Sequence, residues 1–149
     1  MSRLINISIS ASEQAKFKRW TEKLSRQTRN EVQVLVHKTL YDIHGRAVRF
    51  APKDYGAAGL AGKMHIKVNS DKLGGSVGNI IEYAPFREWG TGDLVVVPSF
   101  VKTMFGVDSM QWKGETGRKV NSKAHPYLFE SARMGVKEMT NKLNKMGFK

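Results

Sequence analysis

The sequence predicts an α+β fold: a long N-terminal helix and a C-terminal helix packed on a small, mainly antiparallel β-sheet. Three observations carry that expectation. Residues 11–50 repeat apolar side chains at steps of three and four, residues 126–146 do the same, and the short segments between them alternate apolar with polar. The chain has 149 residues, 40% of them hydrophobic, which suits one domain over 1–149.

The first element is a strand within residues 1–10, where Ile5, Ile7 and Ile9 share one face. Ser10 and Glu13 have the spacing of a capping box, so a helix starts there. Its apolar stripe is Phe17, Trp20, Leu24, Val32, Leu35, Val36, Leu40, Ile43 and Ala47. No Pro or Gly interrupts residues 11–44. An unbroken helix of this kind spans roughly 50 Å, so it either breaks or projects towards a partner. Gly45 marks a place where it can kink or end.

Pro52 stops the helix, and residues 51–62 read as a loop. Met64, Ile66 and Val68 then alternate with Lys63, His65 and Lys67, predicting a strand whose polar side carries His65. A turn over Asn69–Gly75 leads to a second strand over 76–84. Leu94–Val97 reads as a third strand, held to an edge by Pro98. Residues 93–121 form a long loop or insertion. Its Phe100, Met104, Phe105, Met110 and Trp112 need cover from the domain or from a neighbouring subunit. The last helix runs over about 126–146, with Pro126 at its first position and Gly147 at its end.

Lys and Arg number 25 against 13 Asp and Glu, a formal net charge of +12. That excess predicts attraction to polyanions: nucleic acid, an acidic protein surface or an anionic membrane face. The absence of cysteine removes disulfides, thiol catalysis and thiolate zinc sites. No run of about eighteen apolar residues is present to span a bilayer. The start, MSRLINISIS, lacks the pattern of a secretory signal, so the chain reads as a basic domain made inside the cell.

Chemistry has little to stand on. Residues 57–64, AAGLAGKM, come near a phosphate-binding loop, but Ala57 and Met64 stand where Gly and a hydroxyl residue are required. His37 and His44 lie seven residues apart on a helix, about 10 Å, too far for one metal ion. His65 and His125 have no partner by spacing. Asp54, Glu82, Glu88 and Asp93 show no pairing pattern, and neither HExxH nor GxSxG occurs. No enzyme activity, metal or cofactor is expected.

The basic residues are more telling. At 100° per residue, Lys16, Arg19, Lys23 and Arg26 fall within about 80° of arc, roughly opposite Phe17, Trp20 and Leu24. Residues 16–29 hold six basic side chains and one acidic, Glu22. Lys113, Arg118, Lys119 and Lys123 make a second basic set. Aromatic interleaving and zinc-finger spacing are lacking, so any DNA contact goes to phosphates without sequence readout.

Three segments in order resemble a known family. Ala51-Pro52-Lys53-Asp54-Tyr55-Gly56 is similar to "A-P-x-D-T-G" after a long helix. Tyr83-Ala84-Pro85-Phe86-Arg87-Glu88-Trp89-Gly90-Thr91 is similar to "Y-A-x-x-x-E-x-G-T". His125-Pro126-Tyr127-Leu128-Phe129-Glu130-Ser131-Ala132 is similar to "x-P-F-L-x-P-A". The family is the neck, or tail-completion, proteins of long-tailed bacteriophages, which are head–tail connector components. The likeness covers about 15–146. Tyr55 replaces Thr, Ser131 replaces Pro, and 93–121 is long for the family.

The resemblance implies a structural virion protein, assembled in the host cytoplasm, that forms a homo-oligomeric ring, a hexamer or dodecamer. The ring would join portal-side neck proteins to the tail tube or tail terminator and surround the DNA channel. Contact with phage DNA would be non-specific, through phosphates, and no membrane is involved. The motif residues Pro52, Asp54, Gly56, Tyr83, Ala84, Glu88, Gly90, Thr91, Pro126 and Leu128 have structural roles on this reading. Gly90 permits a tight turn after a strand, and Thr91 or Glu88 ties that turn through backbone N–H groups. Tyr83, Phe86 and Trp89 pack in the core or on a neighbour, and Pro126 and Leu128 seat the last helix. Two other readings compete. One is a free nucleic-acid-binding protein without sequence specificity. The other, ranked last, is a nuclease using Asp54, Glu82 or Glu88.

Overall fold

The structure is a computed structural model that describes residues 5–7, 11–52, 59–80, 84–90, 98–101 and 124–148. Its elements in chain order are strand β1 (Ile5–Ile7), helices α1 (Ala11–Glu22) and α2 (Arg26–Phe50), strands β2 (Met64–Val68) and β3 (Gly75–Asn79), short helix α3 (Ala84–Trp89) and helix α4 (Leu128–Lys145). The strands form one antiparallel sheet in the order β1–β3–β2, with Ile66 opposite Val77 and Ile7 opposite Val77 on the other side. This is the α+β arrangement expected: α2 packs along α4 and also lies on β2 and β3.

Helix α2 carries the core. Val32, Val36, Leu40, Ile43 and Ala47 are buried along one stripe, meeting Val77 of β3 and Leu128, Ala132, Met139 and Leu143 of α4. Two glycines set how closely these layers approach. A Cβ on Gly135 of α4 would lie 2.4 Å from Ile43 Cγ1. One on Gly75 would lie 2.4 Å from the Lys67 carbonyl oxygen and 2.6 Å from Leu40 Cδ1. Arg46 and Glu138 join α2 to α4 across the surface at 2.7 Å.

The long first helix breaks. Residues 23–25 interrupt it without Gly or Pro, and Ser25 restarts it. The Ser25 Oγ accepts the Thr28 N–H at 3.2 Å, the bond an N-cap makes. Arg29 then reaches back and donates through Nε (3.2 Å) and a terminal nitrogen (2.9 Å) to the Thr21 carbonyl at the end of α1. Gly45 neither kinks nor ends α2, which runs on to Phe50.

Further boundaries differ from expectation. The hairpin forms, but β3 ends at Asn79, whose buried side-chain amide donates to the Leu60 carbonyl at 2.7 Å. Residues 84–89 are helix rather than the end of a strand, so Gly90 (φ 81°) follows a helix. His65 is half-buried rather than on a solvated side; Lys67 is the exposed residue of β2. Pro126 precedes α4 by two positions, and Tyr127 is the N-cap. Gly147 (φ 98°) ends α4 as expected: the Phe148 N–H donates to the Leu143 carbonyl and that of Gly147 to Asn144. The strand expected over 94–97 lies outside the described residues.

Candidate polyanion-facing surface and the buried Glu88 cap

The break divides the basic face read from the sequence. Lys16 and Arg19 lie on α1, Lys23 in the connection and Arg26 at the first position of α2, so they no longer share one helical arc. All four are exposed, as is Lys18. The ion pairs among the described residues join Arg46 to Glu138 and Arg133 to Glu130, and none involves α1. Nor is Lys16 opposite the aromatic stripe: its ammonium is 5.5 Å from the centroid of the Phe148 ring. The first turn of α2 holds no acidic residue, and it contains Arg26. Positive charge at a helix N-terminus opposes the helix dipole, so this placement is not explained by helix stability. Lys113, Arg118, Lys119 and Lys123 lie outside the described residues.

Two of the three motif segments meet at one buried point. Helix α4 begins His125-Pro126-Tyr127, and no local side chain caps it. Glu88 supplies the cap from α3. One carboxylate oxygen accepts the N–H groups of Tyr127 (2.9 Å) and Leu128 (3.0 Å), and the other accepts that of Phe129 (2.9 Å). A negative charge at a helix N-terminus is favoured by the dipole and satisfies donors that α4 cannot pair itself. Trp89 stacks on Phe129 with centroids 5.2 Å apart, and the Ser131 hydroxyl donates back to the Tyr127 carbonyl at 2.5 Å. Burial pushes the Glu88 carboxyl above its ordinary value; the three backbone donors pull it down, and nearby Glu130 adds to the rise.

Glu88 therefore does bind backbone N–H groups, as expected, but across the fold rather than in its own turn. Ala84, Trp89, Gly90 and Leu128 are buried around it, Pro52 is half-buried after α2, and Pro126 is exposed. Asp54, Gly56, Tyr83, Thr91, Glu82 and Asp93 lie outside the described residues. Both carboxylate oxygens of Glu88 are engaged by backbone N–H groups. Among the described residues no group of His, Asp and Glu is arranged to hold a metal. His37 stacks on Tyr41 with centroids 4.7 Å apart. No helix among the described residues is long and apolar enough to cross a membrane.

Sequence reasoning missed the Ser25 cap and the Arg29 latch. The signal for the first was present, because Ser25 precedes Thr28 at capping distance. The latch has no sequence signature, since it depends on how the chain bends. Comparison with known proteins finds no matching family model, no matching curated protein and no matching solved structure.

Proposed function

We propose that this chain is a structural subunit of the neck of a long-tailed bacteriophage, forming a ring that joins head to tail around the DNA channel. The observation that carries this reading is the meeting of two motif segments. Glu88 of the first binds the backbone that opens α4 in the second. This contact supports the reading by giving two of the three resembling segments a shared structural role. The ring reading involves no catalytic step. Co-expression with the products of adjacent genes, followed by electron microscopy, should show closed rings with an axial opening. A protein that stays monomeric inside assembled particles overturns it.

The exposed basic residues favour a second reading, a free DNA-binding protein. In either case Lys16, Arg19, Lys23 and Arg26 meet phosphates without reading bases. The two readings separate on affinity at physiological salt, which a free binder needs and a channel lining does not. Replacing all four residues by Ala should reduce the slope of log affinity against log salt by up to about 3–4. An unchanged slope removes α1 as the phosphate-facing element.

A further inference from the structure

Helix α2 packs on α4 and the sheet, whereas α1 makes no comparably extensive contact with any of the other described elements. Its hold is a clamp of three half-buried rings: Phe17 and Trp20 of α1, and Phe148 just beyond α4. Phe148 lies 5.8 Å from Phe17, edge-on, and 5.1 Å from Trp20 between ring centroids. Only Lys23, Leu24 and Ser25 connect α1 to α2. With no Gly or Pro in residues 11–44, that connection can itself become helical. Residues 11–50 then form one rod about 60 Å long, which carries Phe17 and Trp20 away from their own Phe148.

We propose that α1 is an exchangeable arm: straightening at Lys23–Ser25 lets Phe17 and Trp20 dock on Phe148 of a second copy of this chain. The ring contacts are the same within one copy and between two, so the arrangements differ only at the hinge. Bending keeps the Ser25 cap and the Arg29–Thr21 bonds, and straightening replaces them with helical hydrogen bonds. Short hinges of this kind favour exchange of an element between identical subunits. Passing α1 from each copy to the next is a head-to-tail contact, which closes into a ring or runs on as a filament. The inference deepens the ring reading and rests on it only for closure.

The test uses the full chain in two variants. Phe17→Ala/Trp20→Ala has no arm, and Phe148→Ala has no acceptor. Each is compared with wild type by analytical ultracentrifugation from micromolar to millimolar concentration, with helix content checked by circular dichroism. Wild type should associate, and each variant alone should associate at least tenfold more weakly. Their mixture should form heterodimers, because the intact arm of one meets the intact acceptor of the other. Variants that associate as strongly as wild type keep the ring and overturn the exchange. So does a mixture that stays monomeric while wild type associates. A wild-type chain that is monomeric throughout also overturns the exchange, and the ring is then judged separately in assembled particles.

Discussion

Replacing Glu88 tests the central structural claim. Glu88→Ala leaves the N–H groups of Tyr127, Leu128 and Phe129 without their acceptor, in a site where Tyr127, Leu128 and Phe129 are all buried. Each unsatisfied buried donor costs about 1–3 kcal/mol. Relief of the buried carboxylate charge offsets part of this, so the net loss is about 3–5 kcal/mol. Against a typical stability of about 5–15 kcal/mol, that is a large share. Glu88→Gln keeps one acceptor oxygen and turns an amide towards one donor, losing about 1–2 kcal/mol. Urea unfolding followed by tryptophan fluorescence reads the difference, since Trp89 lies on Phe129. With a slope of about 2 kcal/mol per molar, the alanine variant should unfold about 2 M earlier. Hydrogen exchange at the three amides should accelerate in both variants. An alanine variant within about 1 kcal/mol of wild type, or unchanged exchange at those amides, refutes the cap. The pH dependence has a definite sign. Burial raises the folded carboxyl above its ordinary value of 4.5, so the native state holds a proton that the unfolded state has released. Stability therefore falls as pH rises from 4.5 through the raised folded value, and Glu88→Gln should lack this component.

The remaining predictions concern backbone and hinge. Gly135→Ala should destabilise by about 1–3 kcal/mol despite alanine's helix preference, because its Cβ meets Ile43; in an Ile43→Ala background the loss should shrink, and equal losses in both backgrounds refute the contact. Gly45→Ala should stabilise by about 0.5–1 kcal/mol, since nothing lies within 4 Å of the added Cβ and α2 is helical there; a lower urea midpoint contradicts this. Ser25→Ala with Arg29→Ala removes the cap and the latch, loosening the bend by about 2 kcal/mol. It should speed exchange at the α1–α2 junction and strengthen self-association; weaker self-association argues against the hinge.

Periodicity made the large elements legible. The stripe from Val32 to Ala47 and the Leu128–Leu143 face became buried surfaces where expected, and the alternation over 64–68 became a strand, though with His65 as half-buried as Met64 and Ile66. These signals survive in sequence because burial imposes them residue by residue. The break at 23–25 escaped notice because attention to Gly and Pro finds only forced breaks. Ser25 makes an optional one, and Arg29 holds it through contacts with residues eight positions away. Helix α3 carried a usable signal: Pro85 in its first turn and Gly90 just past its end, the usual asymmetry of helix termini. Reading 76–84 as strand passed over it. The role of Glu88 was half legible. A carboxylate binding backbone N–H groups could be expected from its motif, but its partners lie about forty residues further along, and only the fold joins them.

The distribution of charge then argues about function in physical terms. Among the described residues, Glu88 is the buried carboxylate, and it is fully engaged in holding α4. Lys16, Lys18 and Arg19 of α1, Lys23 of the connection and Arg26 of α2 are arranged in the opposite way: exposed, and without an ion pair among the described residues. A catalyst needs its charged groups fixed to within fractions of an ångström on rigid elements. A surface that attracts a polyanion without gripping it needs only density of charge, and mobility of the carrying helix costs it nothing, because phosphate contacts are individually weak and interchangeable. The buried carboxylate that caps α4 and the exposed, unpaired Lys16 and Arg19 of α1 together support the proposal of a scaffold that meets a charged partner.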